Sequence, residues 1–258
     1  MVSAKDMIIK VIPASIANAF IKKCHYSGKV CNNSSVHFGA FLNGQLHGAI
    51  SLGPSLDKRT TIKLVKNTGW NEFIEINRLA FDEQLPKNSE SRAISIVIKL
   101  LKKNAPHLKW VISFADATQC GDGAIYRASG FNLIGLKKND RLIRMPDGFV
   151  THGLCLTALS SGTTPRKYNP ELKGEKEIVR ELGAEYLPGF QIKYIYFIDK
   201  DKIKDLTVPI LPFKMIDDLG AGMYRGKLKD KGVGSVAVCT SSIQEESGGS
   251  ILTPTHEV

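Results

Sequence analysis

The sequence predicts an α/β protein with a mixed central sheet and helices on both faces. Short β-branched runs alternate with amphipathic stretches along residues 7–145, an alternation typical of α/β folds. Asn43-Gly44 between two apolar runs indicates a hairpin, and therefore an antiparallel pair within the sheet. Apolar residues make up 43% of the 258 residues, enough to bury a sizeable core.

The predicted elements follow in the order strand, helix, hairpin, strand, helix, strand, helix, strand. The first strand is expected at residues 7–13. The first helix is expected at residues 14–26, where Ile16, Phe20 and Cys24 fall on one helical face. The same reasoning predicts strands at residues 36–42, 45–52, 72–81, 110–115, 131–136 and 142–145, and helices at residues 91–104 and 124–129.

The composition divides the chain into three parts. Residues 1–150 are expected to form the α/β unit, and residues 151–227 are expected to form an extension packed on it. Within the extension we expect a short helix at 173–182, a strand at 191–198 and an extended segment at 203–215. From residue 228 to 258, glycine and serine with few aromatic residues predict a disordered tail.

Positive charge is concentrated in the first part. Residues 1–150 carry 21 lysines and arginines against 11 acidic residues, whereas residues 151–258 carry 14 of each. A basic unit favours a polyanionic partner, since contacts with phosphates release condensed counterions. Simple solubility is the alternative explanation.

The five cysteines are scattered and no pair has C-x-x-C spacing. This pattern argues against a disulfide framework and against a thiolate zinc site. The N-terminus lacks a signal-peptide pattern, and no apolar run approaches the length of a membrane span. We therefore expect a protein of the cytoplasm with reduced thiols.

Residues 113–131, SFADATQCGDGAIYRASGF, carry the most specific signal. A buried strand ends at Asp116, a polar turn with Gly121 and Gly123 follows, and a short helix then carries Tyr126. Polar residues at the end of a central strand are where α/β sheets place their chemistry. Asp116 is a candidate base, with a turn-capping role as its alternative. Tyr126 is a candidate general acid, with core packing as its alternative.

This order of strand, polar loop, helix with tyrosine and Gly-Phe strand resembles the C-terminal half of GNAT acyltransferases. Further stretches resemble the phage Mom-type DNA-modification proteins, over about residues 7–227. They are His25-Tyr26, Arg78 within INRLAF, QIKYIYFI followed by VPILPF, and GAGMYRGK at 220–227.

The resemblance implies an enzyme that converts adenine in double-stranded phage DNA to an N6-carbamoylmethyl or N6-methylcarbamoyl derivative, which protects the DNA from restriction. It also implies acetyl-coenzyme A and an iron-like divalent metal as requirements. Tyr126 matches the tyrosine that protonates the leaving thiolate in GNAT enzymes. His25, Tyr26, Asp116 and Tyr126 together make a candidate metal-ligand set.

One stretch departs from the GNAT pattern. A glycine-rich loop normally precedes the third helix and holds the pyrophosphate, but residues 86–95 read PKNSESRAIS and contain no glycine. The free N–H groups and dipole of a helix N-terminus still favour phosphate. Ser89, Ser91 and Arg92 are therefore the candidate cofactor-binding residues.

Strand alternation would place Arg78 with Ile74, Ile76 and Ala80, and Glu75 on the other side. An arginine among apolar residues favours an anionic partner, either a ligand or a neighbouring carboxylate such as Asp116. Weaker candidates are the thiol of Cys120, the histidines His37 and His47, the possible phosphate contacts Lys58, Arg59, Lys63 and Lys66, and Trp70 as a stacking residue.

Three alternative functions stay open at this point. The chain would fit an ordinary GNAT N-acetyltransferase that acts on a small amine or a protein, a DNA-binding protein without catalysis, or a structural phage protein. The polar loop at residues 116–123 disfavours the last of these. Dependence of activity on Asp116 and Tyr126 separates an enzyme from a DNA-binding protein.

Overall fold

A computed structural model describes residues 3–153, 156, 174–224 and 227–229. Its centre is a mixed eight-stranded sheet in the order β1-β2-β3-β4-β5-β8-β6-β7. These strands span Ile8–Val11 (β1), Val36–Leu42 (β2), Gln45–Gly53 (β3), Phe73–Phe81 (β4), Trp110–Asp116 (β5), Asn132–Arg144 (β6), Val150–His152 (β7) and Glu185–Phe197 (β8). A separate two-stranded hairpin joins Met223–Tyr224 (β9) to Lys227–Leu228 (β10).

Helices cover both faces of the sheet, which confirms the predicted α/β class. They span Ala14–Cys24 (α1), Lys58–Thr61 (α2), Ser89–Asn104 (α3), Ala124–Ala128 (α4), Glu175–Glu181 (α5) and Lys214–Asp218 (α6). Helices α3 and α4 bury their apolar residues in the main core on one face. Helix α1 packs on the opposite face against Ala49 and Ala80. No helix among the described residues is long and apolar enough to cross a membrane.

The sheet extends across the boundary expected at residue 150. Strand β8 pairs antiparallel with both β5 and β6 and therefore lies inside the sheet. Residues 185–197 complete the central layer because β5 and β6 do not pair with each other in the described part of the chain. Strands β6 and β8 continue past this layer and, with α5, enclose a small second core.

Two local predictions are wrong. The strands expected at 131–136 and 142–145 form one long strand, because their pairing with β8 continues through an irregularity between Asn139 and Leu142. Residues 203–215 were expected to be extended, but a 3-10 helix at Lys200–Asp205 and helix α6 occupy both ends of that range. The tail expected at 228–258 lies outside the described residues from 230 onward.

The buried face of α1 differs from the predicted one. Ala17 and Ile21 are fully buried against the sheet, whereas Ile16 is 45% exposed. Phe20 and Cys24 contact the same cluster from its border. The helix is therefore rotated so that Ala17 and Ile21 face Ala49 of β3 and Ala80 of β4.

This arrangement predicts different effects for two isoleucines of the same helix. Ile21→Ala should lower the free energy of unfolding by about 2–5 kcal/mol, since it leaves a cavity against the sheet. Ile16→Ala should change it by less than about 0.5 kcal/mol, as is usual for surface substitutions. Urea unfolding of both variants measures the difference, and equal effects would contradict the observed rotation of α1.

Candidate active site

The site lies where the two parallel strands at the centre of the sheet separate. Strands β4 and β5 pair from Phe73 with Trp110 to Ile76 with Ser113. Beyond that point β4 continues beside β3 as far as Phe81. Strand β5 continues beside β8 as far as Asp116, which lies opposite Gln191. The separation leaves an opening in the sheet between the second halves of β4 and β5.

A β-bulge in β4 sets which side chains face this opening. Ser51 lies opposite Arg78 and Leu52 opposite Ile76, so Asn77 is the extra residue. A bulge reverses the alternation of side chains that follow it.

The reversal is visible in the packing of β4. Leu79 contacts the same core as Ile74 and Ile76, whereas Ala80 faces α1. The predicted side for Arg78 is therefore wrong: it lies on the face of Ala80 and α1. It shares that face with Glu75. The prediction was wrong because strand alternation read from the sequence did not include the bulge.

Arg78 holds the segment that follows α1. Its Nε donates a hydrogen bond to the carbonyl oxygen of Lys29 at 2.9 Å, and its Nη1 donates to the carbonyl oxygen of Asn77 at 2.6 Å. It forms no ion pair within the described residues. Its positive charge therefore remains available to an anionic ligand.

The end of α1 brings His25 and Tyr26 to the same place. The helix ends at Cys24, and the N–H of His25 donates to the carbonyl oxygen of Ile21 at 2.9 Å. The two rings lie against each other with centroids 4.3 Å apart. Gly28 then turns the chain with a φ of 59°, a conformation that favours glycine.

Tyr26, on the segment after α1, lies close to Asp116 at the end of β5. Burial of its hydroxyl, the neighbouring Asp116 carboxylate and the Cys120 thiol raise the pKa of Tyr26 well above its ordinary value, and Arg78 opposes this only in part. The phenol therefore stays protonated, with its hydroxyl close to the Asp116 carboxylate. The residue as a whole is 47% exposed, so the site opens to solvent.

His25 is neutral in this environment. Burial and the positive charge of Arg78 lower its pKa from 6.5 to about 4. Its Nδ1 accepts a hydrogen bond from the backbone N–H of Ser27 at 3.2 Å and lies 2.8 Å from the Ser27 hydroxyl. An accepting Nδ1 places the proton of the neutral ring on Nε2.

Asp116 also organises its own turn. Its Oδ1 accepts the backbone N–H of Thr118 at 2.9 Å, and its Oδ2 accepts the Gln119 side-chain amide at 3.2 Å. The turn-capping role is therefore present together with the interaction with Tyr26. Exposed Cys120 lies nearby, and partial desolvation and the Asp116 carboxylate raise its thiol pKa. A protonated thiol is a weak nucleophile.

Tyr126 approaches the end of β5 from the other face of the sheet. It is buried in the main core beside Phe131 and Tyr194. Burial raises the pKa of Tyr126 to about 12, and the hydroxyl of Ser113 opposes the increase. Cys120 lies within electrostatic range of both Tyr126 and Tyr26. Asp116 and Tyr126 thus approach one loop from opposite sides and form no direct hydrogen bond.

The candidate cofactor residues lie at the N-terminus of α3. Ser89 is fully buried and its hydroxyl has no hydrogen-bond partner within the described residues. No side chain caps this end of the helix, because Asn88 adopts a left-handed conformation and forms no capping bond. The Ser91 hydroxyl donates to the carbonyl oxygen of Asn88 at 3.2 Å, and Arg92 is exposed.

Among the remaining weaker candidates, His37 lies in the same row as Arg78, with Ser51 between them. His37 Nδ1 lies 2.8 Å from the Ser51 hydroxyl, and His47 Nδ1 lies 2.9 Å from the Asp82 carboxylate. Trp70 is exposed beneath the ammonium group of Lys58, at 4.6 Å. This pair precedes β4 and therefore lies toward the other end of that strand.

Two functional candidates were missed from the sequence. Glu75 is buried beside the opening, and burial raises its pKa although Ser55, Asn77 and Arg78 oppose the increase. Its place in an apolar strand was a visible signal. Asp122 is 2% exposed and binds Arg127 at 2.9 Å and Lys229 at 2.6 Å. It joins the site loop to the C-terminal hairpin, and no local pattern predicts that contact.

The proposed metal-ligand set is poorly suited to a metal ion. His25 carries its proton on the nitrogen that would bind metal, and the raised pKa values of Tyr26 and Tyr126 disfavour phenolate ligands. No group of three His, Cys, Asp or Glu residues within the described ranges could hold a metal ion. The iron-like site stays a prediction.

The fold and the cluster define an α/β protein with a polar, solvent-open site between two separating parallel strands. Residues 6–214 match the Mom protein family, and the chain belongs to that family. It is 31% identical over 208 residues to Methylcarbamoylase mom of Escherichia phage Mu, covering 80% of this chain and 82% of that protein. The name of this relative agrees with the transferase class predicted from the sequence.

Several solved structures of acyltransferases are also similar. The ribosomal-protein-S18-alanine N-acetyltransferase from Escherichia coli is 12% identical, with a TM-score of 0.41, over 74% of this chain and 94% of that one. An N-acyl amino acid synthase from uncultured soil microbes is 13% identical, with a TM-score of 0.43, over 78% and 95% of the two chains.

The lowered pKa of His25 predicts an acid-sensitive contribution to stability. Because the folded pKa of about 4 lies below the ordinary 6.5, this contribution is complete above pH 6.5 and is lost as the pH falls toward 4. The difference in free energy of unfolding between the wild type and His25→Gln should therefore shrink from pH 7 to pH 4. A difference that stays constant in urea titrations at both pH values would contradict the buried neutral histidine.

Proposed function

We propose that this protein is a phage DNA-modification enzyme that acts in the host cytoplasm. It transfers a methylcarbamoyl or carbamoylmethyl group to N6 of adenine in double-stranded DNA and so protects the DNA from restriction. Membership of the Mom family and the name of the phage Mu relative support this function. The observation that carries it is the meeting of His25, Tyr26, Arg78 and Asp116 where β4 and β5 separate.

The location of the site requires the adenine to leave the helix. The polar groups lie beside an opening in a sheet that α1 covers on the same face. A base stacked within a duplex cannot enter such an opening, so the target nucleotide has to be flipped out, at a cost of a few kcal/mol. The half-exposed Tyr26 ring at the entrance provides an aromatic surface against which an extruded base can stack.

Asp116 and Tyr26 are suited to bind the amino group of the base. The carboxylate of Asp116 already accepts bonds from Thr118 and Gln119, which fix its position. A fixed carboxylate accepts a hydrogen bond from N6 and then its proton as the new C–N bond forms. Arg78, without an ion-pair partner in the described chain, stabilises negative charge that develops on the carbonyl oxygen of the transferred group.

Tyr126 is suited to donate a proton to a leaving group. With its pKa raised to about 12, the phenol remains fully protonated near neutral pH. The conjugate acid of a free thiolate has a pKa near 8.5, so the phenol is the weaker acid of the two. Proton transfer from Tyr126 therefore has to occur together with the breaking of the carbon–sulfur bond. The position beside Cys120 and Ser113 places the hydroxyl at the inner side of the loop.

The donor that fits the chain is an acyl-coenzyme A. When bound, it would supply a carbonyl carbon activated by its thioester. Transfer of an acetyl group alone would form N6-acetyladenine, so the amide nitrogen of the modified base would come from a second, nitrogen-bearing reactant. The uncapped N-terminus of α3 would hold its phosphates, with the unpartnered hydroxyl of Ser89 and the exposed Arg92 as further contacts. The absence of glycine in residues 86–95 leaves fewer close backbone contacts than a glycine-rich loop would give.

Conservative substitutions test the two catalytic roles. Asp116→Asn keeps an oxygen for the turn but removes the negative charge, and Tyr126→Phe keeps the packing but removes the proton. Each should lower the amount of modified adenine at least about 100-fold, the scale of general acid–base catalysis. Nuclease digestion of DNA from cells expressing the protein, followed by nucleoside mass spectrometry, measures the adduct.

Matched controls exclude general effects of these changes. Asp199→Asn removes the same negative charge and Tyr186→Phe removes the same hydroxyl, both at partly exposed positions away from the cluster, and both variants should keep full modification. Full activity of both Asp116→Asn and Tyr126→Phe would refute the proposed roles. Wild-type protein that leaves adenine unmodified but acetylates a small amine or a protein would instead indicate an ordinary N-acetyltransferase.

A further inference from the structure

An open stretch of sheet lies beside Asp116, on strands β5, β8 and β6. The pairing of these strands aligns two rows of residues on one face. One row contains Phe114, Lys193 and Gly135, and the next contains Asp116, Gln191 and Lys137. Lower on the same face, Val65 and the partly buried Leu206 and Val208 cover the sheet. We call the residues Phe114, Lys193, Gln191 and Lys137 the basic face.

The basic face is accessible to a ligand. Lys137 and Gln191 are exposed, and Phe114 and Lys193 are half-buried. A side chain built at Gly135 would touch only the Cβ of Lys193, at 3.6 Å, so this position also leaves space above the sheet. The Nζ of Lys193 lies 5.8 Å from the centre of the Phe114 ring, which orients the lysine along the surface.

Among the described residues, the lysines of this face have no acidic partners. Burial and the nearby charge of Lys137 lower the pKa of Lys193, which shows that two cations share the surface. Neither lysine forms an ion pair within the described residues. In the same strand β6, Arg141 pairs with Glu175 and Arg144 pairs with Glu185. In β6, the arginines far from the site are thus paired with glutamates, whereas Lys137 beside the site is unpaired within the described residues.

We propose that the basic face binds the phosphates of the DNA strand next to the extruded adenine. This proposal rests on the proposed function, because it assigns a surface to the same DNA substrate. Unpaired lysines on an open surface are the usual partners of phosphate oxygens.

The distance from the site fits this role. Lys137 lies two strands from Asp116 in the same row, about 10 Å at the usual strand spacing of about 4.8 Å. Along the helix axis of a duplex, that distance corresponds to about three base-pair steps, at 3.4 Å per step. The basic face therefore positions the backbone while Asp116 and Tyr26 bind the base. Contacts of this kind add affinity for DNA of any sequence.

Salt-dependent binding of the full chain to a duplex tests the surface. Lys137→Gln combined with Lys193→Gln should reduce the slope of log affinity against log salt by about 2, since each lost phosphate contact removes about 0.9. The exposed Lys137→Gln alone should reduce it by about 1. The matched control, Lys102→Gln with Lys103→Gln at the end of α3 on the other face, removes the same charge and should leave the slope unchanged.

The outcomes separate this proposal from the proposed function. An unchanged slope in the double variant, or an equal reduction in the control, would overturn the basic face as the phosphate-binding surface, even if the wild type modifies adenine in cells. A slope that is reduced in the Lys137→Gln, Lys193→Gln variant but not in the control would support the basic face as the phosphate-binding surface, whether or not an adduct is found by mass spectrometry. Because Lys137→Gln changes an exposed residue, that single variant decides the question if the double variant fails to fold.

Discussion

Parallel pairing between β4 and β5 covers only four pairs of residues, and the site depends on where that pairing stops. A continuous pair of strands would close the sheet and bury Asp116 between hydrogen-bonded neighbours. The separation instead places backbone and side-chain polar groups next to open space within an otherwise apolar layer. Two features direct side chains into this space: the bulge at Asn77 turns Arg78 toward α1, and the end of β5 presents Asp116.

The separation would be costly without compensating contacts from outside the two strands. Arg78 binds the segment after α1 through the carbonyl oxygen of Lys29, and Tyr26 on that segment lies close to the Asp116 carboxylate. On the other face, buried Asp122 joins the loop to Arg127 and Lys229. Removal of one cationic partner from a buried carboxylate is strongly destabilising, because it leaves a buried charge without compensation. The loop is therefore held from both faces, and its polar groups are fixed before a substrate binds.

The sequence predicted the order and type of most elements, because helical and strand periodicities and the Asn43-Gly44 turn are local signals. It also predicted His25, Tyr26, Arg78, Asp116 and Tyr126 as site residues; the first four lie close together, whereas Tyr126 approaches from the other face of the sheet. It did not predict the side of Arg78, since one extra residue in β4 reverses the alternation. Nor did it predict β8 inside the sheet or the Asp122–Lys229 contact, which join residues far apart in the chain. Such long-range contacts produce no periodic pattern in the sequence.

The convergence of groups from α1 and β5 is the central claim, and a double-mutant cycle between Tyr26→Phe and Asp116→Asn tests it most directly. The free energy of unfolding is measured by urea for the wild type, both single variants and the double variant. If the phenol binds the carboxylate, the effects should be non-additive by at least about 0.5 kcal/mol. Additivity within about 0.3 kcal/mol would show that the two side chains do not meet, and would contradict the site described for this protein.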